Sequence, residues 1–421
     1  MITKGCAVLN KSTEYYDVII AGGGPSGLFC AVSASEGKNR VLVIEKNEIC
    51  GKKLLISGLS QCNITQSGDI KNFFIKYGDK EKGNFLKPSL FNFTNDDLVN
   101  FFNERGLETV VEKQNKVFPV SKKSSDVLEV LLDECSAKNV IIKCGETLTK
   151  ACFEDSSFLV ETLAKRYSCR SLVIATGGIT YPKTGSTGDG YKIAEHFGHT
   201  VKKASPALCP VYVRDNHFAC LSGISFKNAG ISLYRRNKKE KELFGDILFT
   251  HRGLSGPGIL HISRYAEPGD TIKISFIGKI RKEDFLKDFT EKISLNGTKS
   301  VKSVITGYGL YERFARRILD LLEIKHDQKC AHLSKSKRND ISEGICDHPF
   351  VIDSIGGLNE GMVTKGGVDL KEVNPKTMES RICRNLYFTG EVLDIDGDTG
   401  GYNLQAAFST GYLAGQNISS N

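Results

Sequence analysis

Residues 22–27 read Gly-Gly-Gly-Pro-Ser-Gly, and eighteen residues beyond Gly27 an apolar run ends on Glu45. In a strand–turn–helix context each of these positions has a task. Gly22 permits the tight turn, Gly24 lets the backbone approach a diphosphate, and Gly27 lets the helix that begins near Pro25 and Ser26 pack on the preceding strand. The free amides of that helix start face an anion. Glu45, at the tip of the second strand, is placed to accept both hydroxyls of an adenosine ribose. A 2'-phosphate would be repelled there, which disfavours NADP at this loop.

Two later segments decide which dinucleotide is meant. Residues 174–178 (Ile-Ala-Thr-Gly-Gly) and 386–391 (Leu-Tyr-Phe-Thr-Gly-Glu) both read as buried strands running into glycine. An NAD-dependent dehydrogenase needs only the first glycine loop, whereas an FAD domain of the glutathione-reductase type adds two such strand ends in this order. The cofactor expected is FAD, with Thr176, Gly177 and Gly178 on the adenosine side and Gly390 and Glu391 at the ribityl chain. Lys46 and Leu148 are added to its expected contacts. Downstream, Gly400 and Gly401, followed by Tyr402, open a helix expected over 403–418 that starts at Asn403, with Gln405 and Ala406 in its first turn. Its N-terminus, aimed at the pyrimidine edge of the flavin, would favour the anionic reduced form. Asp394 is expected to face the ribityl chain, and Asp396 and Asp398 to face solvent.

For proton transfer the candidates are His251, Tyr181 and Tyr402, the tyrosines doubling as packing walls for the ring. Cys50 and Cys62 stand twelve residues apart, too far for the one-helix-turn pair of disulfide reductases. No second Gly-x-Gly-x-x-Gly follows. NADH or NADPH can then serve only as a transient reductant through the substrate cleft, or the substrate reduces FAD and oxygen reoxidises it.

The elements that must carry these residues alternate between strand and helix up to about residue 195. Helix-like faces fall at 97–105 and 124–138, strands at 140–142 and 158–162, and a Gly/Ser/Lys-rich loop follows Glu45. From about residue 203 short alternating segments at 211–213, 231–233, 247–250 and 272–276 predict an antiparallel β-domain. Helical runs follow at 282–293, 310–322 and 339–345, and the α/β signal is expected to return near Phe350. The fold class expected is α/β: a Rossmann-like FAD-binding domain of the glutathione-reductase type interrupted by an inserted β-barrel-like domain with a small helical piece. The domain ranges are 16–202 and 346–421 for the flavin domain and 203–345 for the insertion.

Length and composition agree with this. The 421 residues exceed what one core organises. With 40% hydrophobic and 25% charged residues, the chain resembles an ordinary soluble protein. No apolar run approaches a membrane span, and residues 6–9 after Lys4 are too short for a signal core, so the expected location is cytoplasmic with no membrane partner. Thirteen cysteines without Cys-x-x-Cys read as reduced thiols. Eight histidines without ligand spacing argue against a metal. The net charge of +8 raises a nucleic-acid reading. Its clusters at 235–239 and 335–338 lack interleaved aromatics and read as solvated faces, so no nucleic acid is expected.

These motifs, with Gly-Lys-Lys-Leu-Leu-Ile-Ser-Gly at 51–58, Cys-Asn-Ile-Thr at 62–65, residues 175–182, 185–191, 248–257, 366–368 and 375–380, and the run 390–415, resemble the bacterial FAD-binding family that contains aminoacetone oxidase and the bile-acid reductase BaiN. The resemblance spans nearly the whole chain after Tyr16. It implies that the 51–63 loop wraps the flavin, with contacts from Gly51, Lys52, Lys53, Ser57, Gly58, Cys62 and Asn63, and that His251 lies in a motif covering the ring. Where many members read Gly-Arg-Cys-Asn, this chain has Ser60-Gln61-Cys62-Asn63, so the arginine's contact does not carry over. The expectation is an FAD-dependent oxidoreductase: an NAD(P)H-linked reductase of a small organic substrate, with an amine oxidase as alternative and a flavin-bearing RNA-binding or regulatory protein as a third reading. The oligomeric state is left open.

Overall fold

The apolar run ahead of Gly22 forms the strand Glu14–Ala21, whose inner half is fully buried, and the run ahead of Glu45 forms Val41–Glu45, buried at every position. Their register, Val18 opposite Val41 through Ala21 opposite Ile44, is parallel. Near-continuous apolar sequence is what a strand covered on both faces requires. The computed structural model in which these strands lie describes residues 13–420, so the reading at Lys4 and residues 6–9 falls outside the described residues.

The chain divides into two units, one built from the chain up to Ser205 and from Val363 onward, the other from Pro206–Met362. The first holds a seven-stranded sheet in the order Ile141–Cys144, Val41–Glu45, Glu14–Ala21, Arg166–Ile174, Ser157–Thr162, Leu148–Glu154. Arg166–Ile174 serves two partners along one edge. Its first half pairs antiparallel with Ser157–Thr162, and its end pairs parallel with Leu386–Phe388. The three glycine-bearing strand ends therefore lie side by side. Behind the sheet, Pro25–Ala34 packs against the last helix, Tyr402–Ser419, closely enough that a Cβ on Gly411 would sit 2.3 Å from the Ser26 carbonyl oxygen.

In the region read as a Gly/Ser/Lys-rich loop, the structure has the helix Lys80–Asn92, capped by Asp79, and the short strand Thr65–Gln66, which joins Lys116–Pro119 and Thr109–Val111 from beyond the helical face at 97–105 in a three-stranded sheet. Pro88 inside the helix and its weak apolar periodicity hid it.

The second unit is a closed six-stranded antiparallel barrel in the order Val211–Val213, Gly253–Ser255, Lys238–Phe249, Ser225–Arg235, Thr271–Ser275, His348–Ile355. Its interior is aromatic: Phe218 and Phe249 stack at 5.0 Å, with Phe226, Phe276, Phe314 and Phe350 around them. The helices Lys282–Leu295, Val301–Thr306, Glu312–Leu321 and Lys335–Cys346 make the helical piece. The insertion reaches further than the range 203–345. His348–Ile355 closes the barrel against Thr271–Ser275 and Val211–Val213, and residues 346–362 stay in this unit. Phe350 and Ile352 alternate inward as in a half-buried strand, and that period of two, not a return of parallel sheet, is their signal. Among the described residues no helix is long and apolar enough to cross a membrane, and no cluster of His, Cys, Asp and Glu is grouped to hold a metal.

Candidate functional site

At the first loop the glycines divide into two kinds. A Cβ on Gly22, whose φ is +115°, would lie 2.4 Å from the Ala175 carbonyl oxygen, and one on Gly27 would lie 2.0 Å from that of Gly22. Both are demanded by packing. Gly24 is different: a Cβ there would meet nothing within 4 Å. The helix after it begins at Pro25 with no side-chain cap, so its first amides are unclaimed by a capping side chain. Glu45 accepts from the Gly23 amide at 2.8 Å through one oxygen and from Asn47 (N and Nδ2, 2.8 and 2.6 Å) through the other. Lone pairs remain for a ribose. Lys46 is drawn away to Asp189 at 2.6 Å and to Thr187. The ion pair and hydrogen bonds outweigh the cost of burial and hold the Asp189 carboxyl below its ordinary range.

The three strand ends converge. A Cβ on Gly390 would touch the Ser26 side chain at 2.8 Å, and one on Gly178 would lie 3.0 Å from Glu391 Oε1. Glu391 itself accepts from Lys53 Nζ at 2.8 Å and from the Thr364 amide at 2.7 Å, and Lys53 also donates to Thr180 Oγ1 at 2.8 Å. This ties the helix Lys52–Leu55 to the strand end at Gly390. In the loop that follows, Ser57 Oγ donates to the Leu54 carbonyl, and Leu59, Ser60 and Cys62 all take left-handed φ angles beside Gly58. Such angles cost of order 1 kcal/mol each and persist where the surroundings over-determine them. Cys62 is fully buried, and burial pushes its thiol up to about 12. Cys50 lies instead against Cys144, with the sulfurs 3.9 Å apart.

The last helix corrects several expectations. The space a Cβ would need at Gly401, φ +96°, is filled by the Thr65 backbone at 2.6 Å, and at Gly400 by Gln66 Oε1 at 2.8 Å. Close packing on the strand Thr65–Gln66 is by itself enough to require glycine at both positions. Gln405 is fully buried and satisfied by Thr65 Oγ1, the Phe93 carbonyl and Ser409 Oγ, and Asn403 holds the 397–398 turn through its amide. Ala406 is buried. Asp394 and Asp396 are buried rather than turned to a ribityl chain or to solvent: Lys82 Nζ lies 2.8 and 2.6 Å from them, and Lys202 lies 3.1 Å from Asp394. An interior cation claims both carboxylates. Asp398 is half-buried, 4.0 Å from Lys76. Gly401→Ala should therefore destabilise the apoprotein and the FAD-loaded protein alike, by about 2 kcal/mol. Thermal unfolding of both forms checks this, and a loss confined to the loaded form would return the glycine to the cofactor.

Among the proton-transfer candidates, Tyr402 packs edge-on against Phe73 at 5.1 Å, and burial, with Asp398 nearby, pushes its phenol up to about 12. That suits a wall better than an acid. Tyr181 follows the Gly177–Gly178 turn with φ +55°, half-buried, and its hydroxyl has no hydrogen-bond partner among the described residues. His251 is exposed on a connection of the barrel unit. Leu148 begins an edge strand of the sheet. Lys82, Lys202, Thr180 and Thr364 were not anticipated. Lys82 sat in the misread loop, and the threonines matter through tertiary placement alone.

The residues fit an FAD. Ser26 Oγ, Asn63 Oδ1 and Thr176 Oγ1, all expected cofactor contacts, are buried with no partner in the protein, and so is Thr389 Oγ1 beside Gly390. Buried polar groups are nearly always paired, so the orphans at Ser26, Thr176 and Thr389, which follow three neighbouring strand ends of one sheet, call for a polar ligand, and Asn63 adds one from the loop after Lys52–Leu55. The profile of the HI0933-like protein Rossmann domain matches residues 16–417. Ribosomal RNA dihydrouridine synthase of Escherichia coli (strain K12) is 30% identical over 414 residues, 96% of this chain and 98% of that protein. The 3-dehydro-bile acid delta(4,6)-reductase of Clostridium scindens is 29% identical over 405 residues, 94% of this chain and 97% of that one. Among solved structures, a flavocytochrome c3 fumarate reductase gives a TM-score of 0.51 at 15% identity, covering 97% of this chain and 78% of that chain. The 3-ketosteroid-delta4-(5alpha)-dehydrogenase of Rhodococcus jostii RHA1 gives 0.50 at 13% identity, covering 98% of each. Those two likenesses are of fold alone. The first relative's name specifies ribosomal RNA, which does not agree with the expectation that no nucleic acid takes part.

Proposed function

The chain belongs to the HI0933-like FAD-binding Rossmann family and is an FAD-dependent oxidoreductase, and from that premise we propose that it reduces a carbon–carbon double bond conjugated to a carbonyl. The observation that carries this is the near full-length alignment with two proteins whose names share that chemistry. Making dihydrouridine saturates a pyrimidine double bond beside a carbonyl, and a delta-4 bond in a 3-dehydro steroid is likewise conjugated. Of these two substrate classes, the net charge of +8 favours the ring presented in RNA.

When bound and reduced by a nicotinamide, the flavin would supply the hydride. The Gly24 loop and the Ser26 hydroxyl bind its diphosphate side, Glu45 orients the adenosine ribose, and Thr176 and Asn63 supply the remaining polar contacts. Lys53, held by Glu391 and Thr180, carries fixed positive charge at the strand ends. Tyr181, whose hydroxyl is uncommitted, holds the proton that the carbon next to the carbonyl needs.

The test is anaerobic incubation of the yellow protein with NADPH or NADH and either unmodified ribosomal RNA or a delta-4-3-oxo steroid. Dihydrouridine in the RNA is the expected product. Since Glu45 belongs to the FAD loop and no second glycine loop follows, bleaching of the flavin should need nicotinamide well above the low micromolar range. Saturation at low micromolar NADPH would reveal a dedicated site, and an amine that bleaches the flavin while both unsaturated substrates stay inert would replace the reductase with an oxidase.

A further inference from the structure

The positive charge of this chain is concentrated. Residues 206–362, the barrel unit, hold 25 lysines and arginines against 19 aspartates and glutamates, +6 of the total +8. Within that unit, residues 299–338 alone hold 10 basic residues against 4 acidic ones, so this forty-residue stretch accounts for the whole excess.

The structure joins the stretch into one corner of the helical piece. Ser300 bridges to Lys329, and the Cys330 amide donates to the Lys299 carbonyl, which sets Lys299 beside Lys329. Lys337 Nζ donates to the Leu322 carbonyl, which brings the start of Lys335–Cys346 to the end of Glu312–Leu321. Lys325 opens the turn between them, its carbonyl accepting from the Gln328 amide.

The acids there leave most of this charge uncancelled. Glu312 is taken by Lys302 and Arg316, and Asp320 by His326 Nε2 at 2.7 Å. Glu323 and Asp327 are the other two. Arg313 and Arg317 donate to the neutral carbonyls of Cys220 and His217, which anchor the guanidinium groups without removing their charge. Lys299, Lys325, Lys329 and Lys335 are exposed and make no ion pair among the described residues. Tyr311 is the one exposed tyrosine of the stretch, against ten basic residues, a balance that suits the phosphate backbone of folded RNA better than the stacked bases of a single strand.

We propose that residues 299–338 form the docking surface through which this enzyme holds a structured RNA by its phosphates. The inference rests on the reading that the reduced ring is a pyrimidine of RNA. It assigns the holding of the polymer to the helical piece of the inserted unit, and the chemistry to the flavin unit.

The experiment uses FAD-loaded protein carrying Lys325→Glu, Lys329→Glu and Lys335→Glu together. Lys71→Glu, Lys113→Glu and Lys165→Glu, three exposed lysines of the other unit, serve as the matched control. Binding of a folded ribosomal RNA fragment is followed by fluorescence anisotropy across a range of potassium chloride. The first variant should lose at least about tenfold in affinity at low salt, and the slope of log affinity against log salt should shrink by about 2 to 3, near 0.9 per phosphate contact. The control should lose much less, and flavin content and bleaching by NADPH should match the wild type in both. Equal affinity and slope in the two variants overturns the docking surface, as does a wild type that binds anionic phosphatidylglycerol vesicles but no RNA. Dihydrouridine formation separates the two ideas. Product made by a triple variant with unimpaired RNA binding sinks the surface and keeps the reductase, whereas variant-sensitive binding without any dihydrouridine keeps the surface and sinks the reductase.

Discussion

Glu45→Gln should lower FAD affinity by about 10- to 100-fold, because a charge-assisted contact to a ribose hydroxyl is worth about 1.5–3 kcal/mol. The substitution also strikes the loop itself. One carboxylate oxygen accepts from the Gly23 amide and the other from two donors on Asn47. An amide must turn its NH2 toward one of these donors whichever way it is rotated. Apoprotein stability should therefore fall too, by about 1–3 kcal/mol for a buried donor left without an acceptor. Fluorescence titration of the apoprotein with FAD measures the first effect, and denaturant unfolding without FAD the second. Full FAD affinity with lowered apoprotein stability would leave Glu45 as a loop-holding residue and move ribose recognition elsewhere.

Lys82→Met should be the most destabilising single change in the flavin unit. Lys82 Nζ sits 2.8 Å from Asp394 and 2.6 Å from Asp396, and its side chain is 11% exposed. Removing one partner of a buried charge cluster typically costs about 3–5 kcal/mol. For a unit of this size that is a fall of roughly 6–15 °C in Tm. Asp394 keeps Lys202 at 3.1 Å and the Gly366 amide at 3.1 Å after the change. Burial alone would lower the Lys82 pKa, but Asp396 and Asp394 outweigh it and raise it above 10.5. A raised lysine pKa stabilises the folded state below the unfolded value and ceases to do so as pH climbs through the folded one. From neutral pH upward the gap between wild type and variant should hold constant to about pH 10 and close as pH climbs through the raised lysine value. Adding Asp396→Leu should recover part of the loss. A Lys82→Met protein that melts with the wild type would show that the cluster contributes no net stability.

Much of the flavin unit was legible because its signals are local. The strand cores 18–21 and 41–44 announce themselves by unbroken apolar sequence, and the glycines at 22 and 27 by the close approach that only a missing Cβ allows. The barrel's strands showed the period of two. Its closing strand at 348–355 showed it too, but was read as the return of the sheet, because periodicity does not say which neighbour a strand will pair with.

Sequence alone therefore determined the order of the dinucleotide motifs, the FAD cofactor they imply and the presence of an inserted β-rich segment. Each depends on residue types within a few positions of one another. Tertiary structure decided which polar groups are already spent. Gly401 packs on Thr65, Gln405 is consumed by Thr65, Phe93 and Ser409, and Asp394 and Asp396 surround Lys82 from more than 300 residues away in the chain. Hydrogen bonds and ion pairs form between groups that folding brings within about 3 Å, and no spacing along the chain encodes which of them will meet.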